Sequence, residues 1–184
     1  MGYNIEKEIK IALSNEQYKE VERLFVWSET VEQTNYYYIA SGNTGMTSIR
    51  VREIDSRFYL QVKAPVSEEG ALHIKKEFEK ILDSVPEVIS SEELSELTGG
   101  KLPDARLAGS LHTCRRLCRD FVGVEICLDK SDYLGRTDYE LELEYTGEYP
   151  SALIDKLEHN GVRADGVVAG KYARFLAALK ENSK

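Results

Sequence analysis

The sequence predicts an α+β fold, a closed antiparallel β-barrel of eight strands forming a tunnel, with helices packed on its outside. Three observations predict it. About eight segments alternate between apolar and polar residues, the period of a strand. Most follow one another in hairpin order, and about eight antiparallel strands suffice to close a sheet around a lumen that holds one small ligand. Finally, most strands carry one apolar and one ionic face, and amphipathic helices are interleaved with them.

Ile5 to Leu13 alternates cleanly and opens the barrel. Ser14-Asn15-Glu16-Gln17 is a capping box that starts a helix running to Val26, with Val21, Leu24 and Phe25 on one stripe. Four strands follow at about 33–40, 47–54, 57–64 and 73–79. Gly42 and Gly45 punctuate the first gap, Asp55-Ser56 makes a tight hairpin, and Pro65 with Gly70 sits in the next loop. Ser90 to Thr98 reads as a short acidic helix ended by Gly99-Gly100. Strands resume at about 109–119, 122–129 and 137–145. Gly123 lies near the first of these turns, and Ser131 to Arg136 forms the second loop. Pro150 to Asn160 is a helix with Gly161 just past its end, and Gly170 to Glu181 is a final basic and apolar helix. No internal repeat or low-complexity segment interrupts this order, so residues 1–184 read as one domain. An open sheet with helices on one face would show a similar pattern.

Composition narrows the function classes. Hydrophobic residues are 42% and charged residues 30%, as in globular proteins. No apolar run approaches the roughly 20 residues that cross a bilayer. Met1 to Glu6 lacks the basic and apolar regions of a signal peptide, and Glu6 stands where a myristoylation signal carries Ser or Thr. A cytoplasmic protein is expected. Cys114, Cys118 and Cys127 form no Cys-x-x-Cys motif and fit buried, reduced thiols, although His112 near Cys114 makes a zinc site conceivable. A net charge of −8 argues against a general nucleic-acid binder.

Strand parity sorts the charges. Glu6, Glu8 and Lys10 share a face opposite Ile5, Ile9, Ile11 and Leu13. Arg50 and Arg52 oppose Ile49 and Val51, and Gln61 and Lys63 oppose Leu60 and Val62. Lys75, Glu77 and Glu79 oppose Ile74 and Phe78, while Glu125 and Asp129 oppose Val124, Ile126 and Leu128. Asp138, Glu140, Glu142 and Glu144 oppose Tyr139, Leu141, Leu143 and Tyr145. One reading is an ordinary sheet whose polar face is solvated, with ion pairs of little individual worth. The other closes the sheet with the ionic face inward, so that basic residues hold a polyanion and carboxylates hold hard divalent cations. The second accounts for more of the sequence, including the interleaved helices.

These motifs, taken in order, resemble the CYTH superfamily, or triphosphate tunnel metalloenzymes, closest to its small single-domain bacterial members. The resemblance rests on Glu6-x-Glu8-x-Lys10, Asn35-Tyr36-Tyr37-Tyr38, Arg50-Val51-Arg52 and Gln61-Val62-Lys63. It continues through Glu77-x-Glu79, Thr113-x-Arg115, Asp129, the run Asp138 to Glu144 and Lys171-Tyr172-x-Arg174. One departure is Ile39-Ala40, where members often carry Asp-Thr.

The resemblance implies a metal-dependent triphosphatase. Arg50, Arg52, Lys63, Arg115, Lys171 and Arg174, with Lys10 beside them, would bind the phosphates. Parity favours Arg115 over Arg116 for this role. Glu6, Glu8, Asp129 and some of Glu140, Glu142 and Glu144 would hold one or two Mg²⁺ or Mn²⁺ ions. Glu6, Glu8, Lys10 and Lys63 would be the catalytic residues. Glu77 and Glu79 would pair with basic residues of the lumen. The expected substrate is a small triphosphate, inorganic tripolyphosphate before thiamine or nucleoside triphosphates, cleaved at its terminal phosphoryl group. Cyclisation of ATP ranks lower for want of an identified nucleoside pocket, and a non-catalytic polyphosphate binder would not need so many carboxylates. Among nucleic acids only a 5′-triphosphate end is compatible with this reading.

Overall fold

The alternating segment at the N-terminus forms β1 (Asn4–Leu13), the strand on which the sheet is centred. The structure is a computed structural model that describes residues 4–42, 47–69 and 71–182, with side chains for all of these except residues 4, 6 and 67–69. Gly45 and Gly70, expected as loop punctuation, lie outside the described residues.

Ser14 caps α1 (Asn15–Leu24) through the expected reciprocal bonds with Gln17. The helix stops two residues before Val26, because Trp27 Nε1 donates to Glu22 O at 2.8 Å and the chain turns extended at Phe25. Next come β2 (Glu29–Ala40), β3 (Ser48–Ile54), β4 (Arg57–Glu69) and β5 (Leu72–Leu82). After them come β6 (Val88–Ile89), α2 (Ser91–Thr98), β7 (Ala105–Phe121), β8 (Val124–Tyr133) and β9 (Arg136–Tyr145). The chain closes with α3 (Ser151–His159) and α4 (Lys171–Asn182).

Several strands outrun their expected ends, each for a reason of pairing. β2 begins at Glu29 because its first residues pair with β7, Glu29 opposite Leu117. β4 continues past Pro65, which sits at a register shift against β5, a place where a strand tolerates a missing N–H. β8 runs to Tyr133 and turns at Leu134-Gly135, both at positive φ, as two-residue hairpin turns require. Leu is a poor signal for that conformation, so Ser131 to Arg136 read as a loop. The two-residue β6, paired with Arg106 and Ala105, was not expected.

Every pairing is antiparallel, and the order is β2-β3-β4-β5-β1-β9-β8-β7 with β6 appended. β7 pairs back onto β2 over their length, which closes the sheet into an eight-stranded barrel. Closure leaves the barrel itself no free edge.

The outward faces are apolar and covered. Ile9, Ile11, Leu141 and Leu143 pack with Tyr18 and Val21 of α1 and with Leu153, Ile154 and Leu157 of α3. Tyr38, Ile49, Val51, Leu60 and Val62 pack with Leu94 of α2. A third cluster joins Tyr172 and Phe175 of α4 to Tyr37, Leu111 and Tyr133. Those three strand residues share the parity of the charged face, so α4 stands at one end of the barrel. Gly109 permits this approach: its φ is +148°, and a Cβ there would come within 3.0 Å of the Phe175 ring. None of the described helices is long and apolar enough to cross a membrane.

Candidate functional site

Closure turns the charged strand faces inward around a cavity of about 280 Å³. Its two sides differ in chemistry. On one, β1 and β9 present Glu8 and Glu142, with Asp129 of β8 and Glu140 of β9 buried beside Glu142, all four at most 4% exposed. On the other, β3 and β4 present Arg50, Arg52 and Lys63.

The carboxylates fall into two groups, Glu8 with Glu142 and Glu144, and Asp129 with Glu140 and Glu142. Within each group the ligand atoms lie within 4.8 Å of one another, and Glu142 belongs to both. An all-oxygen set suits a hard cation such as Mg²⁺ or Mn²⁺. Parity left Glu140, Glu142 and Glu144 equivalent; the structure gives Glu142 the shared position and leaves Glu144 partly exposed. Glu6 sits on β1 opposite Lys75, but its side chain lies outside the described ones.

Cations interleave with these carboxylates. Lys10 Nζ lies 2.8 Å from Glu8, bonds Glu142, and lies 3.8 Å from Glu140. Arg115 forks onto Asp129 at 2.8 and 2.7 Å and also bonds Glu142. Lys171, from α4, reaches Asp129 at 2.8 Å, Glu140 at 2.6 Å and Glu142 at 2.8 Å. Arg174 bonds Asp138 at 2.8 Å and Glu140 at 2.7 Å, and Lys75 bonds Glu8 at 2.7 Å.

Burial alone would neutralise such groups, so their partners decide their charge. Burial pushes Glu142 up, but Lys10, Lys171 and Arg115 outweigh it and hold the carboxyl well below the usual range. Asp129 is lowered the same way, against burial, by Arg115 and Lys171. Burial pulls Lys10 down, and Glu142, Glu8 and Glu140 more than restore it. Asp129 and Glu142 are thus held ionised despite their burial, the state in which a carboxylate can hold a cation.

The two arginines of β3 are held differently. Arg50 Nε donates to Gln61 Oε1 at 2.8 Å, and Arg52 Nε donates to Asn35 Oδ1 at 3.1 Å. Neither arginine has a carboxylate at salt-bridge distance among the described residues. Burial, then the charges of Arg50 and Arg115, lowers Arg52 to about 10. Arg50 Nη2, Gln33 Nε2 and Asn35 Nδ2 are buried with no hydrogen-bond partner among the described residues. Buried donors without acceptors are costly, and two of these three, on Gln33 and Arg50, belong to residues that line the cavity.

Of the remaining acids Glu77 meets its expected pairing with a basic residue, whereas Glu79 is bonded to a neutral amide instead. Glu77 lies 3.6 Å from Lys63, and Glu79 accepts from Gln61 Nε2 at 2.7 Å. Arg116 faces outward onto Glu22 of α1 at 2.5 Å, as parity required. Gln33, Tyr37 and His73 also line the cavity, although no role was expected for them. Their signal was parity: Gln33 and Tyr37 share a face with Asn35, and His73 with Lys75. Cys127 is buried on the lumen side of β8, and the three cysteines are unbridged. Among the described residues, neither cysteine nor histidine joins a group fit for a metal.

The profile of the CYTH domain matches residues 4–159. The chain belongs to the CYTH family. The matched stretch ends before α4, so Lys171 and Arg174 reach the site from outside it. No curated protein sequence matches the chain. Among solved structures, HpAC1 from Hippeastrum, described as having a dominant triphosphatase activity, superposes with a TM-score of 0.73 at 20% identity. That match covers 94% of this chain and 95% of that one. A candidate adenylate cyclase of Bacillus halodurans gives 0.71 at 24% identity, covering 95% and 99% of the two chains. The triphosphatase of the Mimivirus capping enzyme gives 0.51 at 13%, covering 85% and 87%. At these identities the three show a shared CYTH tunnel fold.

Proposed function

We propose that this CYTH protein hydrolyses a small triphosphate, with inorganic tripolyphosphate as its leading substrate, in a reaction dependent on Mg²⁺ or Mn²⁺. The observation that carries the reading is the opposition of two buried walls. One offers arginine and amide donors without acceptors, and the other offers two carboxylate groups that share Glu142. A polyanion with its counter-cations satisfies both.

Arg50 and Arg52 grip the phosphates, Arg50 through the Nη2 it has to spare, with Lys63 beside them. Lys10, Arg115 and Lys171 give up part of their carboxylate contacts to phosphate oxygens, while Arg174 holds Glu140. Glu8, Glu142 and Glu144 form one cation site, joined by Glu6, and Asp129, Glu140 and Glu142 form the other. The bound metal supplies charge neutralisation and Lewis-acid activation of water. The protein's part is positioning: it fixes the terminal phosphoryl group for attack by one water, whose oxygen bonds phosphorus as the bridging P–O bond breaks. Diphosphate and phosphate leave, and the proton released passes to solvent.

The test incubates the protein with tripolyphosphate, thiamine triphosphate, ATP and pyrophosphate, with Mg²⁺, Mn²⁺ or chelator, and measures phosphate, pyrophosphate and cyclic AMP. Tripolyphosphate cleavage lost with chelator and in Glu8→Ala supports the reading. Cyclic AMP with pyrophosphate makes it a cyclase instead, and tight binding without turnover makes it a binder.

A further inference from the structure

Four buried carboxylates of the acidic wall have a basic partner on both of their oxygens. Glu8 accepts from Lys75 on Oε1 at 2.7 Å, and its Oε2 lies 2.8 Å from Lys10. Asp129 takes Arg115 on both oxygens, and Lys171 lies 2.8 Å from its Oδ2. Glu140 accepts from Lys171 on Oε1 at 2.6 Å and from Arg174 on Oε2 at 2.7 Å. Glu142 takes Lys10 and Lys171 on Oε1 and Arg115 on Oε2. The oxygens suited to a divalent cation are thus held by the protein's own cations.

The facing wall is in the opposite condition. Arg50 Nη2 and Gln33 Nε2 are buried, belong to residues that line the cavity, and have no hydrogen-bond partner among the described residues. The described lining as a whole holds seven lysines and arginines against five glutamates. Spare donors and an excess of cations attract an anion, even in a protein of net charge −8.

This asymmetry sets an order of binding. A divalent cation entering alone must displace Lys10, Lys171 or Arg115 from oxygens they hold, and stripping a buried charge of its partner is costly. A polyanion entering alone displaces nothing from Arg50 Nη2 or Gln33 Nε2. Once bound, it offers Lys10 and Lys171 new acceptors, and both ammoniums sit on flexible stems that can turn to them. Glu142, which belongs to both carboxylate groups, is then released on Oε1. Arg115 is less free to move, because its fork onto Asp129 fixes the guanidinium.

We propose that the tunnel takes its polyanion first and without metal, and that the bound polyanion opens the carboxylates to a divalent cation by drawing Lys10 and Lys171 off Glu142. The inference rests on the tunnel reading above and adds the order in which its ligands bind. Linkage makes the effect reciprocal, each ligand tightening the other by the same factor.

The test uses the full chain and imidotriphosphate, a tripolyphosphate analogue with NH in place of its bridging oxygens, which resists cleavage. Calorimetric titration should show the analogue binding in the presence of chelator. Mn²⁺ should bind the protein–analogue complex roughly 5- to 150-fold more tightly than the protein alone, after correction for Mn²⁺ taken up by free analogue. Lys10→Met and Lys171→Met each remove one blocking ammonium, so both should tighten Mn²⁺ on the protein alone, a gain that loss of structure would not give. Equal affinity of wild type for Mn²⁺ with and without the analogue overturns the proposal. So does an analogue that binds only with metal, or Mn²⁺ affinity unchanged in both variants. Coupled binding without phosphate release from tripolyphosphate upholds the order and sinks the hydrolase reading, whereas hydrolysis with uncoupled binding does the reverse.

Discussion

Gln61 couples Glu79 to Arg50 across three neighbouring strands: its Nε2 donates to Glu79 Oε2 at 2.7 Å, and its Oε1 accepts from Arg50 Nε at 2.8 Å. Glu79 fixes which way the amide points, and the amide fixes the guanidinium, leaving Arg50 Nη2 for the ligand. From the other side Asn35 Oδ1 accepts from Arg52 Nε at 3.1 Å, with no acid among the described residues to orient its amide. Gln61→Leu should therefore lower kcat/KM for a triphosphate roughly 10- to 100-fold, the worth of a hydrogen bond to a charged group. Gln61→Glu keeps the acceptor for Arg50 while repelling Glu79, and should recover part of that loss. Steady-state kinetics of the two variants check this; equal losses would count against a positioning role.

The arginines should separate binding from stability. Arg115 is buried and paired with Asp129 and Glu142, so Arg115→Ala leaves buried negative charge less compensated. A loss of roughly 3 kcal/mol is expected, at the low end for broken buried pairs, because Lys171 still faces Asp129. Arg50 has a neutral amide as partner, so Arg50→Ala should weaken triphosphate binding with little loss of stability. Denaturant unfolding of both variants, beside calorimetric binding, distinguishes the two effects.

Glu142 should matter more to metal than Glu144. Glu142 is shared by both carboxylate groups, whereas Glu144 belongs to one and is partly exposed. Titration with Mn²⁺, followed calorimetrically, should show Glu142→Gln weakened at every site and Glu144→Gln weakened at one. Chelator should abolish hydrolysis in the wild type, and restoring Mg²⁺ or Mn²⁺ should recover it.

Alkali should unfold the protein through its tyrosines. Burial raises Tyr38 to about 12, and Tyr36 adds to it; burial and the bond to Asp138 raise Tyr133 to about 12; burial and Tyr37 raise Tyr172 to about 12. An unfolded tyrosine titrates near 10. Between about pH 10 and 12 the unfolded chain therefore holds fewer protons than the folded one, and stability falls as pH rises. The stabilisation is complete below about pH 10 and lost through about pH 12. Melting temperatures across that range, with tyrosinate absorbance as the second signal, check the sign; stability that rose with pH would contradict it.

The sequence by itself determined which residues share a face. Period-two alternation put Glu8 with Lys10, Arg50 with Arg52, Arg115 apart from Arg116, and Glu140, Glu142 and Glu144 together, because a strand admits only two side-chain directions. It also determined the cap of α1, since Ser14 and Gln17 act within one turn. Parity is local, however, and says nothing of distance across the lumen. Only the tertiary structure decided that Glu142 is the shared carboxylate, that Lys171 comes in from α4 at one end, and that Gln61 and Asn35 brace the arginines. Strand ends belong to the same class. Where β2 begins and how far β1 outruns β9 depend on cross-strand pairing.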